Sequence, residues 1–484
     1  MSATRRLSAE SSPAGRVQSA AGSAGASAPT LTPAPALASA APVVAPPRSA
    51  PYRARSRRAL AALGGLLVSG TVIALGAAHT SSLLPDSIRG GAPAALGGVF
   101  YGLGLDLHSA GLIAAMVVMF ASYVGVVAAS RWLSLRSIVV AIVALYALVL
   151  LAPPLVSTDI FSYQAYARMG LTYSINPYTH GPYAISPDAV FPYIGYKWSY
   201  IPSVYGPLFT VFSYALAPLS IAASVIAYKS IAVLAAAALV VIVWRCAHLR
   251  GSDPVRAVAL VGLNPLLVVY GIGGGHNDLI MMLAMVGGVY AFLATRERLA
   301  GGLGMLAVGL KLTAGIVLPF ALLAGGPPRV RRRRDLVFGA ALGAAAVLAV
   351  GFGAFGSGLL EMFSTLNRAQ SEGVDSIPGL LASLGIPGIA HVLSYVMAGG
   401  FAVICGWLLR RVWRGNLDWV DAAGWATLAM LVASSSLLPW YVAWLLPLAA
   451  LGRDERLVRS ALVITGLVQL IQLINYIPHV STVL

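Results

Sequence analysis

The stretch IVVAIVALYALVLLAPPLVS, residues 138–157, contains no charged side chain. A helix needs about 20 mostly apolar residues to cross roughly 30 Å of hydrocarbon, and this run has that length. The run is continuously apolar, whereas a strand of a membrane barrel alternates between apolar and polar residues. Because lipid offers no partner to backbone polar groups, a helix is the structure that satisfies this segment. The stretch therefore predicts a transmembrane helix.

Similar apolar runs recur on both sides of this stretch. They cover residues 59–78, 110–129, 226–244, 257–272, 279–294, 336–355, 391–409, 420–437 and 460–477. Four further pieces are too short or too interrupted to be assigned as full spans, namely 206–225, 300–310, 313–325 and 440–452. Short apolar pieces of this kind often form half-helices that line a cavity. The sequence thus predicts an all-α polytopic integral membrane protein with about 11–13 transmembrane helices plus re-entrant half-helices.

Composition supports a membrane protein and excludes several other classes. Of the 484 residues, 58% are hydrophobic and 10% are charged, whereas soluble domains carry roughly 25% charged residues. This composition excludes a soluble enzyme, a disordered protein and a disulfide-rich secreted module. The two cysteines, Cys246 and Cys405, form no pairing or metal-binding pattern.

The positive charge is distributed in a way that indicates orientation in a membrane. The net charge is +16, and most arginines lie in short clusters between apolar runs or in the first 58 residues. Such clusters mark the cytoplasmic side, so nucleic acid is not an expected partner. We expect residues 1–58 to be a disordered cytoplasmic tail and residues 59–484 to be one transmembrane catalytic domain. Segments 158–205 and 356–388 are then external loops, and the bilayer is that of a plasma membrane.

The first external loop concentrates polar chemistry directly above a span. Thr158 is placed to cap a new helix, and Asp159 would lie in its first turn, where the helix dipole favours a carboxylate. If 159–169 is helical, Asp159, Tyr163 and Tyr166 share one face, and Arg168 lies on the neighbouring stripe. The loop continues with Asn176, Tyr178 and Tyr205. The alternative interpretation is an aromatic belt at headgroup level with an exposed acid.

Three other signals fall near the same predicted face. Gly273–Asp278 reads GGGHND; either its glycines permit a close approach to the first loop, or it is a hairpin in which Asp278 caps the next helix. We expect this segment and the loop 158–205 to approach one another. Lys311 lies between two short apolar pieces, where it either snorkels to the interface or binds an anionic headgroup. Trp440 and Tyr441 form either an interfacial belt or a platform for sugar stacking.

Several of these segments together resemble membrane-embedded glycosyltransferases of the GT-C superfamily. The resemblance is carried by STDIFSYQAYARMG at 157–170, NPY at 176–178, GHND at 275–278 and GLKLTAG at 309–315, with YGPL at 205–208 and PWYVAWLLPL at 439–448. It extends over roughly residues 140–450 and is greatest to the actinobacterial polyprenol-phosphate-mannose-dependent α-1,6-mannosyltransferases of lipomannan assembly.

The resemblance implies a reaction and a role for Asp159. It implies transfer of mannose from a polyprenyl-phosphate-mannose donor to a lipid-linked, lipomannan-type acceptor, with inversion, on the outer face of the membrane. Asp159 would be the general base or would orient the acceptor hydroxyl. The phosphate is already a good leaving group, so cations rather than an acid are needed there. We assign this task to Arg168 and Lys311, assisted by His276.

The remaining candidate residues are assigned to substrate binding. They are Tyr163, Tyr166, Asn176, Tyr178, Tyr205, Asn277, Asp278, Trp440 and Tyr441. No cofactor is expected, and the spacing of acids and histidines gives no support for a divalent metal. The alternatives are an arabinosyltransferase or protein O-mannosyltransferase of the same superfamily, and a transporter or flippase for a polyprenyl-linked sugar.

Overall fold

The computed structural model describes residues 50–79, 96–100, 102–324, 330–371, 387–434 and 437–474. Helices account for the regular structure of these residues, and no strand occurs among them. The helices are α1 Ala50–His79, α2 Ser109–Ala128, α3 Leu135–Leu151, α4 Asp159–Leu171, α5 Pro207–Tyr214, α6 Ile221–Arg250, α7 Pro254–Gly262, α8 Asp278–Leu293, α9 Glu297–Leu310, α10 Val317–Leu323, α11 Val330–Phe355, α12 Glu361–Ser371, α13 Pro387–Trp413, α14 Trp419–Ala433, α15 Leu445–Leu451 and α16 Glu455–Ile474.

The chain is an all-α, multi-pass membrane protein. Six of the described helices are long and apolar enough to cross a membrane, and a seventh span is formed if α7 and the π-helix Leu266–Ile272 count as one. Shorter apolar helices follow, which are Leu135–Leu151, Asp278–Leu293, Leu312–Leu323, Trp419–Ala433 and Pro439–Leu451. The predicted 11–13 crossings are reached only if these shorter helices also cross. Most of the predicted tail and part of the loop 356–388 lie outside the described residues.

Prolines explain where the predicted spans are interrupted. The run 138–157 was expected to be one helix, but α3 ends at Leu151, before Pro153 and Pro154. A residue that precedes proline is disfavoured in the helical region, so the chain leaves the helix there. The run 257–272 was also expected to be continuous, but it bends by 46° between α7 and the π-helix, next to Pro265. A connector, residues 152–158, therefore separates α3 from α4.

Helix α4 begins at Asp159, as predicted, although its cap differs from the expectation. Thr158 precedes the helix, but its side chain makes no capping hydrogen bond. The Ser157 hydroxyl oxygen instead accepts a hydrogen bond from the backbone N–H of Asp159 at 3.2 Å. Segment 206–225, which the sequence left unassigned, forms the short helix α5 followed by turns before α6.

Close packing of small residues holds the helices that carry Lys311. Gly301 on α9 faces Leu336 on α11 so closely that a Cβ atom would overlap the backbone there, and Gly339 faces Arg298 in the same way. In membranes such small-residue contacts allow helix backbones to approach and gain van der Waals energy. The packing fixes α9, at whose end the helix breaks and Lys311 begins the 3₁₀ turn Leu312–Ile316.

Candidate active site

The connector that leads into α4 and the glycine-rich segment 273–278 are joined by a backbone hydrogen bond. The N–H of Leu155, in the connector, donates to the carbonyl of Gly273 at 3.0 Å. Gly275 has a φ of 62°, and a Cβ atom there would meet the side chain of Ile160. A side chain is disfavoured on both counts, so glycine is required where this segment passes α4. The expected approach of segments 158–205 and 273–278 is confirmed.

Asp159 is the accessible carboxylate of the site. Its side chain is 18% exposed, and its Oδ2 lies 3.3 Å from Nδ1 of His276, whose side chain is fully buried. The Tyr163 hydroxyl lies 3.5 Å from the same oxygen and 3.3 Å from Oδ1 of Asn277. Asp159 and Tyr163 therefore share one helix face, as the spacing predicted, and Asn277 lies beside them.

The surroundings keep Asp159 ionised. Burial acts to raise the pKa of this carboxyl, but the adjacent His276 and the charge of Lys311 outweigh burial, so the pKa lies below its usual range. A positive or hydrogen-bonding neighbour favours the charged form of an acid. An ionised carboxylate with one accessible edge is able to accept a proton or to orient a hydroxyl.

A charged pair lies at the other end of the GGGHND segment. The ammonium of Lys311 lies 2.7 Å from Oδ1 of Asp278, and the indole N–H of Trp444 donates to the same oxygen at 2.8 Å. Lys311 also lies 4.4 Å from the ring centre of Tyr441 and 5.0 Å from that of Trp444. The Lys311 side chain is 16% exposed while that of Asp278 is 2% exposed, so the lysine is the more accessible member of the pair.

Aromatic rings join the two carboxylates into one site. Trp440 stacks on His276 with ring centres 3.7 Å apart, and Tyr441 stacks on Trp444 at 4.3 Å. Tyr205 packs edge-on against Tyr163 at 4.8 Å. We call this group the Asp159 cluster; it consists of Asp159, Tyr163, Tyr205, His276, Asn277, Asp278, Lys311, Trp440, Tyr441 and Trp444.

Polar atoms in this cluster are buried and unpaired among the described residues. They are Nε2 of His276, the amide nitrogen of Asn277 and the second carboxylate oxygen of Asp278, whereas Nδ1 of His276 faces Asp159. Buried polar groups are normally hydrogen-bonded, because an unpaired one costs free energy. The unpaired atoms therefore suit a polar ligand in this cluster.

Three residues predicted to bind substrate make their hydrogen bonds elsewhere. The Tyr166 hydroxyl donates to the carbonyl of Ile201 at 2.7 Å, although its ring still approaches Tyr205. Asn176 donates to the carbonyl of Phe355, and Tyr178 donates to that of Tyr205, both at 2.8 Å. These bonds fix the loop between α4 and α5 to its neighbours.

Arg168 is the clearest departure from the expectation. Its guanidinium forms an ion pair with Asp188 at 2.8 Å and donates to the carbonyl of Leu219 at 2.9 Å. It lies nine residues after Asp159, which is about 13 Å along a helix. The structure therefore does not bring Arg168 into the Asp159 cluster, because Asp188 on the following loop binds it.

Two residues near the site were not assigned to it from the sequence. Trp444 bonds to Asp278, and it follows Trp440 by four residues in the same aromatic segment, a spacing that could have included it. Lys229 is 1% exposed and lies beneath the connector, with its ammonium 2.6 Å from the carbonyl of Ala152. Because it is a lone lysine in a long apolar run, no sequence pattern pointed to a role for it. In the described part of the chain, no three His, Cys, Asp or Glu side chains are grouped to hold a metal ion.

Comparison with known proteins identifies the family. A family model described as the α-(1→6)-mannopyranosyltransferase N-terminal domain matches residues 62–325. The chain belongs to this α-(1→6)-mannopyranosyltransferase family. A second model, the MptB C-terminal domain, matches residues 371–475. The family matches thus include Asp159, segment 273–278 and Lys311 in the first part and the aromatic segment 440–444 in the second.

Individual relatives are similar over much of their length. α-(1→6)-Mannopyranosyltransferase A of Corynebacterium glutamicum is 26% identical over an alignment of 346 residues that covers 63% of this chain and 69% of the relative. The enzyme of the same name from Mycobacterium tuberculosis is 27% identical over an alignment of 348 residues that covers 66% of this chain and 65% of the relative. α-(1→6)-Mannopyranosyltransferase B of Corynebacterium glutamicum is 27% identical, and the match spans 56% of its length. No solved structure matches the chain.

Proposed function

We propose that this chain transfers mannose from a polyprenyl-phosphate-mannose donor to a lipid-linked, lipomannan-type acceptor, forming an α-1,6 linkage on the outer face of a bacterial plasma membrane. The observation that carries the proposal is the position of Asp159, an accessible ionised carboxylate 3.3 Å from a buried histidine. The family membership supports the sugar and the linkage. The apolar helices around the site suit substrates that are both attached to lipids.

Asp159 takes the proton of the acceptor hydroxyl. The hydroxyl oxygen then forms a bond to the anomeric carbon while the bond from that carbon to the phosphate oxygen breaks. The electron pair of the broken bond stays on the phosphate, and the proton stays on Asp159. Attack from the face opposite the leaving group inverts the anomeric carbon, so a β-linked donor gives an α-mannoside.

The negative charge that develops on the phosphate needs fixed positive charge nearby. Lys311, whose side chain is partly exposed, supplies it, while Asp278 and the faces of Tyr441 and Trp444 hold the ammonium in place. His276 adds a ring nitrogen that no described residue occupies. Arg168 has no part in this step, because Asp188 and the Leu219 carbonyl already bind its guanidinium.

The test is a transfer assay with the full chain in lipid nanodiscs. Wild-type protein receives a polyprenyl-phosphate donor carrying either labelled mannose or labelled arabinose, together with a mannosylated lipid acceptor. We expect transfer of labelled mannose and not of labelled arabinose. An α-1,6-specific mannosidase should then release the label from the product. Transfer of arabinose instead, or transfer to a protein acceptor instead, would overturn the proposal. In sealed proteoliposomes, movement of the donor across the bilayer without any product would show a transporter and would also overturn the proposal.

A further inference from the structure

Lys229 is a buried lysine to which the proposed reaction gives no role. It lies on α6 and is 1% exposed. Its ammonium donates to the carbonyl of Ala152 at 2.6 Å and to that of Pro153 at 3.0 Å. Removing an ammonium from water is costly, and an ionisable group within a membrane bundle commonly has a function. Both acceptor carbonyls belong to the connector that leads to Asp159.

The connector follows a strained course. Val156 has a φ of 51°, in the left-handed region. A β-branched residue is a genuine outlier there. Such strain persists only where the surrounding structure enforces it, and it is concentrated at functional sites.

Hydrogen bonds at both ends enforce this course. Lys229 binds the carbonyls at the start of the connector. The N–H of Leu155 donates to Gly273 in its middle, and Ser157 accepts from the N–H of Asp159 at its end. Among these hydrogen bonds, those of Lys229 are the ones in which a side chain from another helix binds the connector. The bond to Gly273 reaches the segment that carries His276.

We propose that Lys229 is a positioning residue that holds the connector in its strained course and so sets Asp159 against His276. The inference deepens the proposed function, since it rests on Asp159 acting as the base. Lys229 touches no substrate in this arrangement. It acts by fixing Ala152 and Pro153, from which the chain turns into α4.

Hydrogen exchange of the full chain in nanodiscs tests directly whether Lys229 holds the connector. Lys229→Met removes the ammonium and keeps an unbranched side chain. Ser224→Ala is the matched control, because Ser224 is buried on the same helix and its hydroxyl donates only to the carbonyl of Ile221. In Lys229→Met we expect the amides of 155–158 to exchange at least about tenfold faster, while α6 and α8 exchange as in wild type. Unchanged exchange in 155–158, or an increase spread evenly over all helices, would overturn the proposal.

The pH profile of transfer tests whether the tie positions Asp159. His276 and Lys311 lower the pKa of Asp159, against the effect of burial, and the hydroxyls of Tyr163 and Tyr205 also face it. If the connector shifts, the contact with His276 lengthens and the pKa of Asp159 rises. The acid limb of the profile should then move to higher pH by about one unit, a change that partial unfolding alone does not produce.

If the amides of 155–158 exchange faster but the acid limb does not move, Lys229 stabilises the connector without setting the position of Asp159. That result would overturn the positioning role. If wild-type protein transfers no sugar, the proposed function fails, and the exchange experiment still decides whether Lys229 holds the connector.

Discussion

Asp159 differs from Asp278, the other carboxylate of the site, because its side chain is 18% exposed whereas that of Asp278 is 2% exposed. We predict that Asp159→Asn, which keeps the shape and removes the basicity, lowers the rate of transfer by roughly 10²–10⁴. The measurement is kcat in nanodiscs for protein shown to be folded by its melting temperature. Asp106→Asn is the control, because the Asp106 side chain is 59% exposed and lies outside the cluster. Full activity of folded Asp159→Asn would reject Asp159 as the base.

Lys311 has two candidate tasks, neutralising Asp278 and binding the donor phosphate. Lys311→Met alone leaves Asp278 buried and uncompensated, which costs about 3–5 kcal/mol whatever the function. The informative variant is therefore Lys311→Met combined with Asp278→Asn, which removes both charges. If Lys311 binds the phosphate, we expect the double variant to fold but to use the donor at least about 100-fold less well, since a charge contact in a dry site is lost.

The measurement is kcat/KM for the donor, with the KM for the acceptor measured in parallel. Arg298→Met combined with Asp335→Asn is the matched control. These two residues form an ion pair, with Nε and Oδ1 2.8 Å apart, that lies away from the site. Recovery of wild-type donor use in the Lys311 and Asp278 double variant would leave Lys311 as a neutralising partner only.

For single residues, the sequence predicted which side chains belong to the site better than it predicted which partners they contact. Asp159, Tyr163, His276 and Lys311 do lie together, because ionisable residues in a membrane chain are few and their position is informative. Arg168 was misplaced because its partner, Asp188, lies 20 residues further along the chain. Spacing on one helix does not reveal which loop residue returns to that helix.

Among the elements, the long helices follow the hydrophobic runs, whereas the irregular pieces that carry the site do not. The connector 152–158 and the π-helix Leu266–Ile272 were both hidden inside runs expected to be continuous. In the π-helix, Asn264 accepts hydrogen bonds from the N–H groups of Leu266 and Leu267. Such local bonds between a side chain and the backbone compete with regular helix bonds, and hydropathy does not register them.

Gly275 offers a prediction for the loop as a whole. Gly275→Ala places a side chain at a φ of 62° and against Ile160, whereas Gly251→Ala has a similar φ of 68° and open space around it. Both substitutions cost roughly 1–2 kcal/mol of backbone strain. We expect both to lower the melting temperature and only Gly275→Ala to lower transfer per folded molecule, because it displaces the first turn of α4. Equal activity in the two variants would contradict this role of the loop.

In the whole molecule, the arginine-rich loops and the Asp159 cluster lie at opposite ends of the helix bundle. The arginine-rich loops bind one another, since Arg250 pairs with Asp418 and Arg256 pairs with Glu455. The Asp159 cluster lies at the N-terminal end of α8, whose 16 residues place it about 24 Å from the helix end near these loops. Positive loops stay on the cytoplasmic side, so the Asp159 cluster is expected on the outside.

The last prediction tests this orientation with single cysteines in a background without Cys246 and Cys405. Tyr196 is 83% exposed on the loop between α4 and α5, and Arg453 is exposed on the arginine-rich side. We expect an impermeant thiol reagent to label Tyr196→Cys on intact cells and Arg453→Cys only after permeabilisation, because an odd number of crossings separates the two faces. Labelling of both on intact cells would mean an even number of crossings between residues 196 and 453. Labelling of Arg453→Cys alone would place the cluster in the cytoplasm, where a donor carried on the outer leaflet could not reach Asp159.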